Sequence, residues 1–423
     1  MKINHVEARS ILDSRGNPTI EVELGNGTSS AHASVPSGKS AGSKEAHEKR
    51  DSDGGVESAI KNITERILPA ITVRDFSSPN EIDTLLRELD GTRNKENLGA
   101  NAMLPVSIAA TKLFALEAGR SLWKFIAEMN GFTPAFPRLY MNVLNGGAHA
   151  CLSDSARLPA PQQSRSSRQA GSQADFCLPF QEYIIVAQGT PSEAYEEATM
   201  IFWELGELIK KTIGPTPLGD EGGYSPAFNS IEKPFELLRS LVFPGDNVSI
   251  AIDAAATEFY KDGAYTILDE IYSTDKLLEV YKNLVERFGL MSIEDPFAEN
   301  DYDGFKKMTA MLGDKILVMG DDLTVTNPEI LKTMIEQKAG NALIVKPNQI
   351  GTLEEVYETV RLAKEAGWKI VASHRSGETE DTFIADLAVG IGAFGIKAGA
   401  PSQKERVVKY NRLIEIEKEF GFI

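Results

Sequence analysis

Six ionisable residues close short apolar runs in the second half of the chain. Asp253 ends VSIAID, Glu294 ends LMSIE, Asp321 follows KILVMG, Lys346 follows NALIV, His374 follows KIVAS and Lys397 ends FGIK. They lie 41, 27, 25, 28 and 23 residues apart, about one strand-plus-helix unit each after the first. Ionisable groups at the ends of successive parallel strands converge on one face of a (β/α) barrel, where such barrels carry their chemistry. Asp253, Glu294 and Asp321 gathered there would repel one another unless a cation sat among them. An all-oxygen set suits a hard ion, Mg²⁺ first and Mn²⁺ second, and not zinc, which recruits cysteine or histidine. Lys346 and Lys397 become neighbours on that face. A lysine serves as a general base once a metal or second cation destabilises its ammonium form. His374-Arg375-Ser376 adds a cation and donors, so the collected site fits an anionic substrate.

Other candidates are weaker singly. Glu221 stands in LGDEGGYSP, where Gly222 and Gly223 allow close backbone approach and let the carboxylate project into a site. Glu182 opens the apolar run QEYIIV, and His149 sits in NGGAHA. The remaining histidines, His5, His32 and His47, have no supporting motif.

The elements needed to position these groups are legible from periodicity. Between the apolar runs lie amphipathic stretches such as TDKLLEVYKNLVERFG, NPEILKTMIEQKAG and TLEEVYETVRLAKEAG. Alternating strand and helix with nearly continuous apolar strands signals a parallel sheet, and at least six such units favour a closed barrel. No glycine-rich dinucleotide fingerprint opens any of these helices. Earlier, ILDSRGNPTIEVELGNG reads as a turn leading into a strand with Ile20, Val22 and Leu24 on one side, and HASV as a second strand. The small-residue loop PSGKSAG follows, then helices, the longest over LGANAMLPVSIAATKLFALEAGRSLWKFIAEM. The turn-rich NGFTPAFPRL divides an N-terminal α+β domain, residues 1–133, from a barrel domain, residues 134–423.

The totals bound the class of protein and its partners. The 423 residues are 42% hydrophobic and 25% charged, with a formal net charge of −17. That field repels phosphate backbones and anionic membranes, so nucleic acid is not an expected partner and an anionic substrate needs a locally positive site. The opening MKINHVEARSILDSRG is too polar for a signal peptide, and no run of about 18 apolar residues predicts a membrane span. Two cysteines build no disulfide framework, and a cytoplasmic setting is the expectation.

Seven motifs carry a resemblance. In chain order they are ILDSRGNPTIEVE, NGGAHA, GDEGGYSP, SIEDPFAEND, GDDLTVTNP, VKPNQIGT and SHRSGETEDTFIADLAVG. Together they resemble the enolase family from about residue 3 to about 419. The resemblance implies a small N-terminal α+β domain, an eight-stranded mixed (β/α) barrel of enolase type, and a homodimer, with an octamer as the larger assembly. It implies reversible dehydration of 2-phosphoglycerate to phosphoenolpyruvate with two Mg²⁺ per site. Lys346 matches the family's general base and Glu221 its general acid. Asp253, Glu294 and Asp321 match ligands of one magnesium, and Ser40, in the lid loop around 36–43, helps bind the second. His149, Glu182, His374, Arg375, Ser376 and Lys397 match residues that contact or position the substrate. Lys39 and Ala41 depart from the usual lid residues, and Ala398 stands where threonine is usual.

The large departure is a Ser-, Gln- and Arg-rich insertion at about 151–178, between His149 and Glu182 and flanked by Cys151 and Cys177. Its composition suits an excursion outside the core. Lengthening a flexible loop about threefold costs only on the order of 1 kcal/mol of closure entropy, so the fold is expected to survive it. Catalysis is more sensitive, because a site group displaced by about 1 Å can lose about 100-fold in rate. The alternative is therefore an enolase-like fold with impaired catalysis, acting by binding. Replacing residues 153–175 with a short Gly-Asn linker is expected to leave activity equal or higher; a collapse of turnover would make the insertion part of the site.

Overall fold

The computed structural model describes residues 1–39, 42–150 and 178–421. Three antiparallel strands come first: β1 (His5–Leu12), β2 (Pro18–Gly25) and β3 (Ser30–Ser34), in the order β1-β2-β3. The turn between β1 and β2 is built by Asp13, whose Oδ1 accepts from the backbone N–H groups of Arg15 and Asn17 at 2.9 and 2.8 Å. Sequence patterning found β2 and β3 but not β1, whose side chains are mostly exposed and follow no clean alternation. Ile20, Val22 and Leu24 are buried as expected.

The long predicted helix is two helices, Ala100–Glu117 and Leu122–Asn130, bent at 97°. Gly119 takes φ +61°, a conformation that ends helices, and the N–H groups of Gly119 and Arg120 close back onto Leu116 and Ala115. Periodicity carries through Ala-Gly-Arg-Ser and so hides the break.

Eight strands form a closed barrel: β4 (Arg138–Asn145), β5 (Glu182–Ala187), β6 (Val248–Asp253), β10 (Leu290–Glu294), β11 (Leu317–Gly320), β12 (Ala342–Val345), β13 (Lys369–Ser373) and β14 (Gly395–Lys397). A small meander of β7 (Tyr260–Lys261), β8 (Ala264–Ile267) and β9 (Glu270–Tyr272) follows β6. β5 runs antiparallel to both β4 and β6; every other barrel pairing is parallel. The mixed eight-stranded barrel with a smaller N-terminal sheet unit is the fold the sequence led us to expect. Inside it Tyr140, Ile184, Ala251, Met319, Ile344 and Val371 form one buried cluster. Two residues further toward the mouth stand Asn142, Glu182, Asp253 and Ser373 on their strands and Asp321 and Lys346 one residue past the ends of β11 and β12. Side chains two apart share a face, so the apolar plug aims the polar layer above it.

The N-terminal unit completes a helix of the barrel. Thr352, at the start of helix Leu353–Glu365, makes no side-chain cap. Instead the Leu353 N–H donates to Ser107 Oγ at 3.0 Å and the Glu354 N–H to Asp83 Oδ2 at 2.9 Å. Lys95 pairs with Glu355 at 2.6 Å, and Arg87 with Glu354. Burial pushes the Asp83 carboxyl up to about 7. A folded-state pKa raised above the unfolded value contributes stability that is full at low pH and lost as pH rises through about 7. The Asp83→Asn variant keeps an acceptor for the Glu354 N–H but no charge. Its melting temperature relative to the unsubstituted protein should therefore rise between pH 6 and pH 8.5, read by circular dichroism.

Candidate active site

Register places the first group of acids. Glu182 pairs with Asp253 and Asp253 with Glu294, so three carboxylates from β5, β6 and β10 lie side by side at one level of the wall. Glu182 opens its strand whereas the other two close theirs. Because β5 is reversed, its beginning is at the mouth, which is why a strand-initial residue joins a strand-terminal row. Lys397 reaches in from β14, with Nζ 2.9 Å from Glu182, 3.6 Å from Asp253 and 2.7 Å from Glu294. All four side chains are buried. Burial raises Asp253 to about 6 and Glu294 well above the usual carboxylate range, with their mutual repulsion adding to the rise in Glu294. Burial would lower Lys397, yet Glu182, Glu294 and Asp253 hold it well above the ordinary lysine range.

A second group surrounds Lys346. Its ammonium is ion-paired with Asp321 Oδ2, while Asp321 Oδ1 accepts from Gln349 Nε2 at 2.9 Å. Burial alone would lower Lys346; the Asp321 carboxylate outweighs it and holds the ammonium protonated. Asp295, Asp321 and Asp322 have carboxylate oxygens within 4.8 Å of one another. Asp295 acts there as a brace, accepting from the backbone N–H groups of Asp321 and Asp322 at 2.9 and 2.8 Å. Arg375 forms a two-pronged pair with Glu45 at 3.0 and 3.2 Å, and donates to Asn348 at 3.1 Å.

A third group centres on Glu221. Asn142 Nδ2 lies 3.0 Å and His374 Nε2 3.3 Å from its Oε2, while His149 Nδ1 is 3.8 Å from Oε1 and 3.3 Å from Glu182 Oε1. Burial would raise Glu221, but His374 and His149 bring it well below the usual range. Burial would lower His149; Glu221 and Glu182 lift it above the ordinary histidine value. Gly222 at φ +83° makes the turn that delivers Glu221, and a Cβ there would come 2.2 Å from Ser402 Oγ.

One cleft is lined by Glu45, His149, Glu182, Glu221, Asp253, Asp321, Lys346, His374, Arg375, Ser376 and Lys397. The sequence-derived candidates converge there, with Glu294 against Lys397 in the wall beneath. Ser40 lies outside the described residues, as does the 151–178 insertion apart from Leu178. Lys39 beside Ser40 reaches the mouth, with Nζ 2.7 Å from both Asp220 Oδ2 and the Ala148 carbonyl. Sequence reasoning missed Glu45, Asn142, Asp295, Asp322, Asn348, Gln349 and Arg406. Asp295, Asp322, Asn348 and Gln349 stand in the motifs SIEDPFAEND, GDDLTVTNP and VKPNQIGT, close to the candidates Glu294, Asp321 and Lys346; Glu45, Asn142 and Arg406 carry no local signal.

The profile described as "Enolase, N-terminal domain" matches residues 3–126, and that described as "Enolase, C-terminal TIM barrel domain" matches residues 155–422. A protein named enolase from Methanopyrus kandleri is 43% identical over 99% of this chain and 96% of its own length. The chain belongs to the enolase family. Enolases from Corynebacterium kroppenstedtii and Thermococcus kodakarensis are 42% and 41% identical, each over 99% of this chain and at least 95% of its own length. Membership makes the chain a carbon–oxygen lyase of the phosphopyruvate hydratase class.

The family is magnesium-dependent, and the residues present fit such an ion. The donors are all carboxylate oxygens, they outnumber the lysines among them, and buried Glu294 Oε1 has no hydrogen-bond partner. Removing the one cation that reaches three of them has a large expected cost. Lys397→Met leaves buried charge uncompensated and should destabilise the metal-free protein by about 3–5 kcal/mol in urea unfolding.

Proposed function

We propose that this enolase-family protein interconverts 2-phosphoglycerate and phosphoenolpyruvate, with Lys346 as general base and Glu221 as general acid. One observation carries this reading: a buried lysine and a carboxylate flanked by two imidazoles line the same cleft, with a row of carboxylates between them.

Asp253, Glu294 and Asp321 would hold one magnesium ion, and the family resemblance carries a second ion with Ser40 as a ligand. An ion held there would supply positive charge to offset the carboxylate made dianionic by loss of the C2 proton. Lys346 acts in its neutral amine form, which the nearby Arg375 and Lys397 favour, and takes the C2 proton on Nζ. Glu221 gives a proton to the C3 hydroxyl as the carbon–oxygen bond breaks, and water leaves. His149, whose imidazole is held up as Glu221 is held down, stands 3.8 Å from Glu221 Oε1 and is the neighbouring group that can supply the acid's proton. Arg375 and Ser376 face the cleft as donors for the phosphate.

The insertion does not favour a silenced enzyme. On either side of 151–177 the chain is tied: the Gly146 N–H donates to Gln181 O at 2.8 Å, and His149 meets Glu182 across the gap. A Cβ on Gly146 would come 2.2 Å from Phe180 O, so only glycine permits this approach. The same reading carries a homodimer or octamer, a division near residue 133 and a cytoplasmic setting. No single helix among the described residues is long and apolar enough to cross a membrane, which is compatible with that setting.

Phosphoenolpyruvate should form from 2-phosphoglycerate in a Mg²⁺-dependent manner, followed by absorbance. Absence of product at every Mg²⁺ concentration would refute the reading. Lys346→Ala should retain the circular dichroism spectrum, lose about 10²–10⁴ in turnover and lose exchange of the C2 proton with solvent. Retained exchange would remove Lys346 from the base role.

A further inference from the structure

Arg406 lies on helix Lys404–Phe420, outside the cleft, and has no solvent exposure. Its guanidinium spends its donors on the site's backbone: Nη1 donates to Arg375 O at 2.7 Å, and Nη2 to Ser376 O at 2.7 Å and Asp220 O at 3.3 Å. The same Nη1 lies 2.7 Å from His374 Nδ1. A guanidinium has donors only and stays protonated, so in this contact Nδ1 must be the acceptor. A neutral imidazole that accepts at Nδ1 carries its proton on Nε2. Nε2 faces Glu221 Oε2 at 3.3 Å, and Asn142 Nδ2 donates to that same oxygen at 3.0 Å. Oε2 thus has two donors aimed at it and no room for a proton of its own. Oε1 faces His149, whose Nδ1 is 3.8 Å away.

We propose that Arg406 is a positioning residue that locks His374 as the Nε2–H tautomer, so that His374 and Asn142 saturate Glu221 Oε2 and leave Oε1 as the oxygen that carries and delivers the proton. In the step, the Oε1–H bond breaks, the proton passes to the departing C3 hydroxyl, the C3–O bond breaks and Glu221 is left as a carboxylate. A His374 protonated on Nδ1 could not face Arg406 at this distance. It would also present a lone pair to Oε2, and the acid proton would then settle on Oε2, turned away from His149.

The inference rests on the dehydration reading for its rate consequence only; the tautomer is decided by geometry. With five histidines in the chain, ¹⁵N-imidazole labelling and proton-correlated nitrogen NMR resolve the ring, and a His374→Asn sample identifies the His374 signals. In the full-length protein at neutral pH, His374 Nδ1 should appear as an unprotonated, pyridine-type nitrogen and Nε2 as protonated. A protonated Nδ1, in either the neutral ring or an imidazolium, would overturn the proposal without any variant. Arg406→Met should shift the His374 Nδ1 signal and lower kcat about 10–100-fold with KM little changed. Arg406→Lys, which keeps a charged donor, should recover part of both. A folded Arg406→Met protein with unchanged Nδ1 signal and kcat would overturn it as well. An unsubstituted protein with the stated tautomer but no phosphoenolpyruvate formation would refute the dehydration reading and leave the tautomer lock standing.

Discussion

Lys397 sits where three strands each deliver a buried carboxylate, and the rest of the site is arranged around that concentration of charge. Taking a carboxylate out of water costs several kcal/mol unless a cation accompanies it. At the mouth of this barrel the acids outnumber the lysines, so the folded chain holds a standing demand for more positive charge. Lys397 answers it at the β5–β6–β10 wall and Lys346 at Asp321. A hard divalent ion answers it more completely. Metal affinity, the protonation of Lys346 and the stability of the barrel mouth are thus three expressions of one electrostatic imbalance.

Much of this was open to reading from residue types alone, because strand ends in a parallel barrel are self-marking. Four or five apolar residues followed by a charge give both the strand and the face it serves, and Asp253, Glu294, Asp321, Lys346, His374 and Lys397 all obey that rule. Glu182 escaped it for a definite reason: its strand is reversed, and strand direction is not written in the hydrophobic pattern. Its place became legible only through the motifs around it. Arg406 was out of reach. On an amphipathic helix an arginine reads as a solvated charge, and only the three-dimensional path of that helix behind His374 makes it a buried donor. Glu45 lies in an irregular segment with no periodicity, and it matters because it meets Arg375, 330 residues away. β1 and the break at Gly119 were missed by the same logic, since exposed strands and capped helix ends leave weak marks in hydropathy.

The groups around Glu221 differ in kind from those around Lys346. Near Lys346 the interactions are between full charges, strong and alterable by a bound ion. Near Glu221 they are directional hydrogen bonds from Asn142, His374 and, behind it, Arg406. In the roles proposed for them, a base that must change protonation benefits from a partner that can be withdrawn. An acid that must present one particular oxygen benefits from donors that cannot move. The two halves of the cleft suit these different requirements of the proposed roles, and the Lys397–Glu182 pair lies in the same cleft.

The capping of helix Leu353–Glu365 by Ser107 and Asp83 reaches beyond stability. That helix directly follows the loop bearing Lys346, Asn348 and Gln349, and its first two amides find side-chain acceptors in the other unit. Glu45, the carboxylate partner of Arg375, comes from that unit as well. Neither unit is therefore a self-sufficient module. A gene rearrangement that passed the barrel to another protein would transfer the carboxylate row without the anchor that steadies its arginine, and so this cleft is inherited as a whole or not at all.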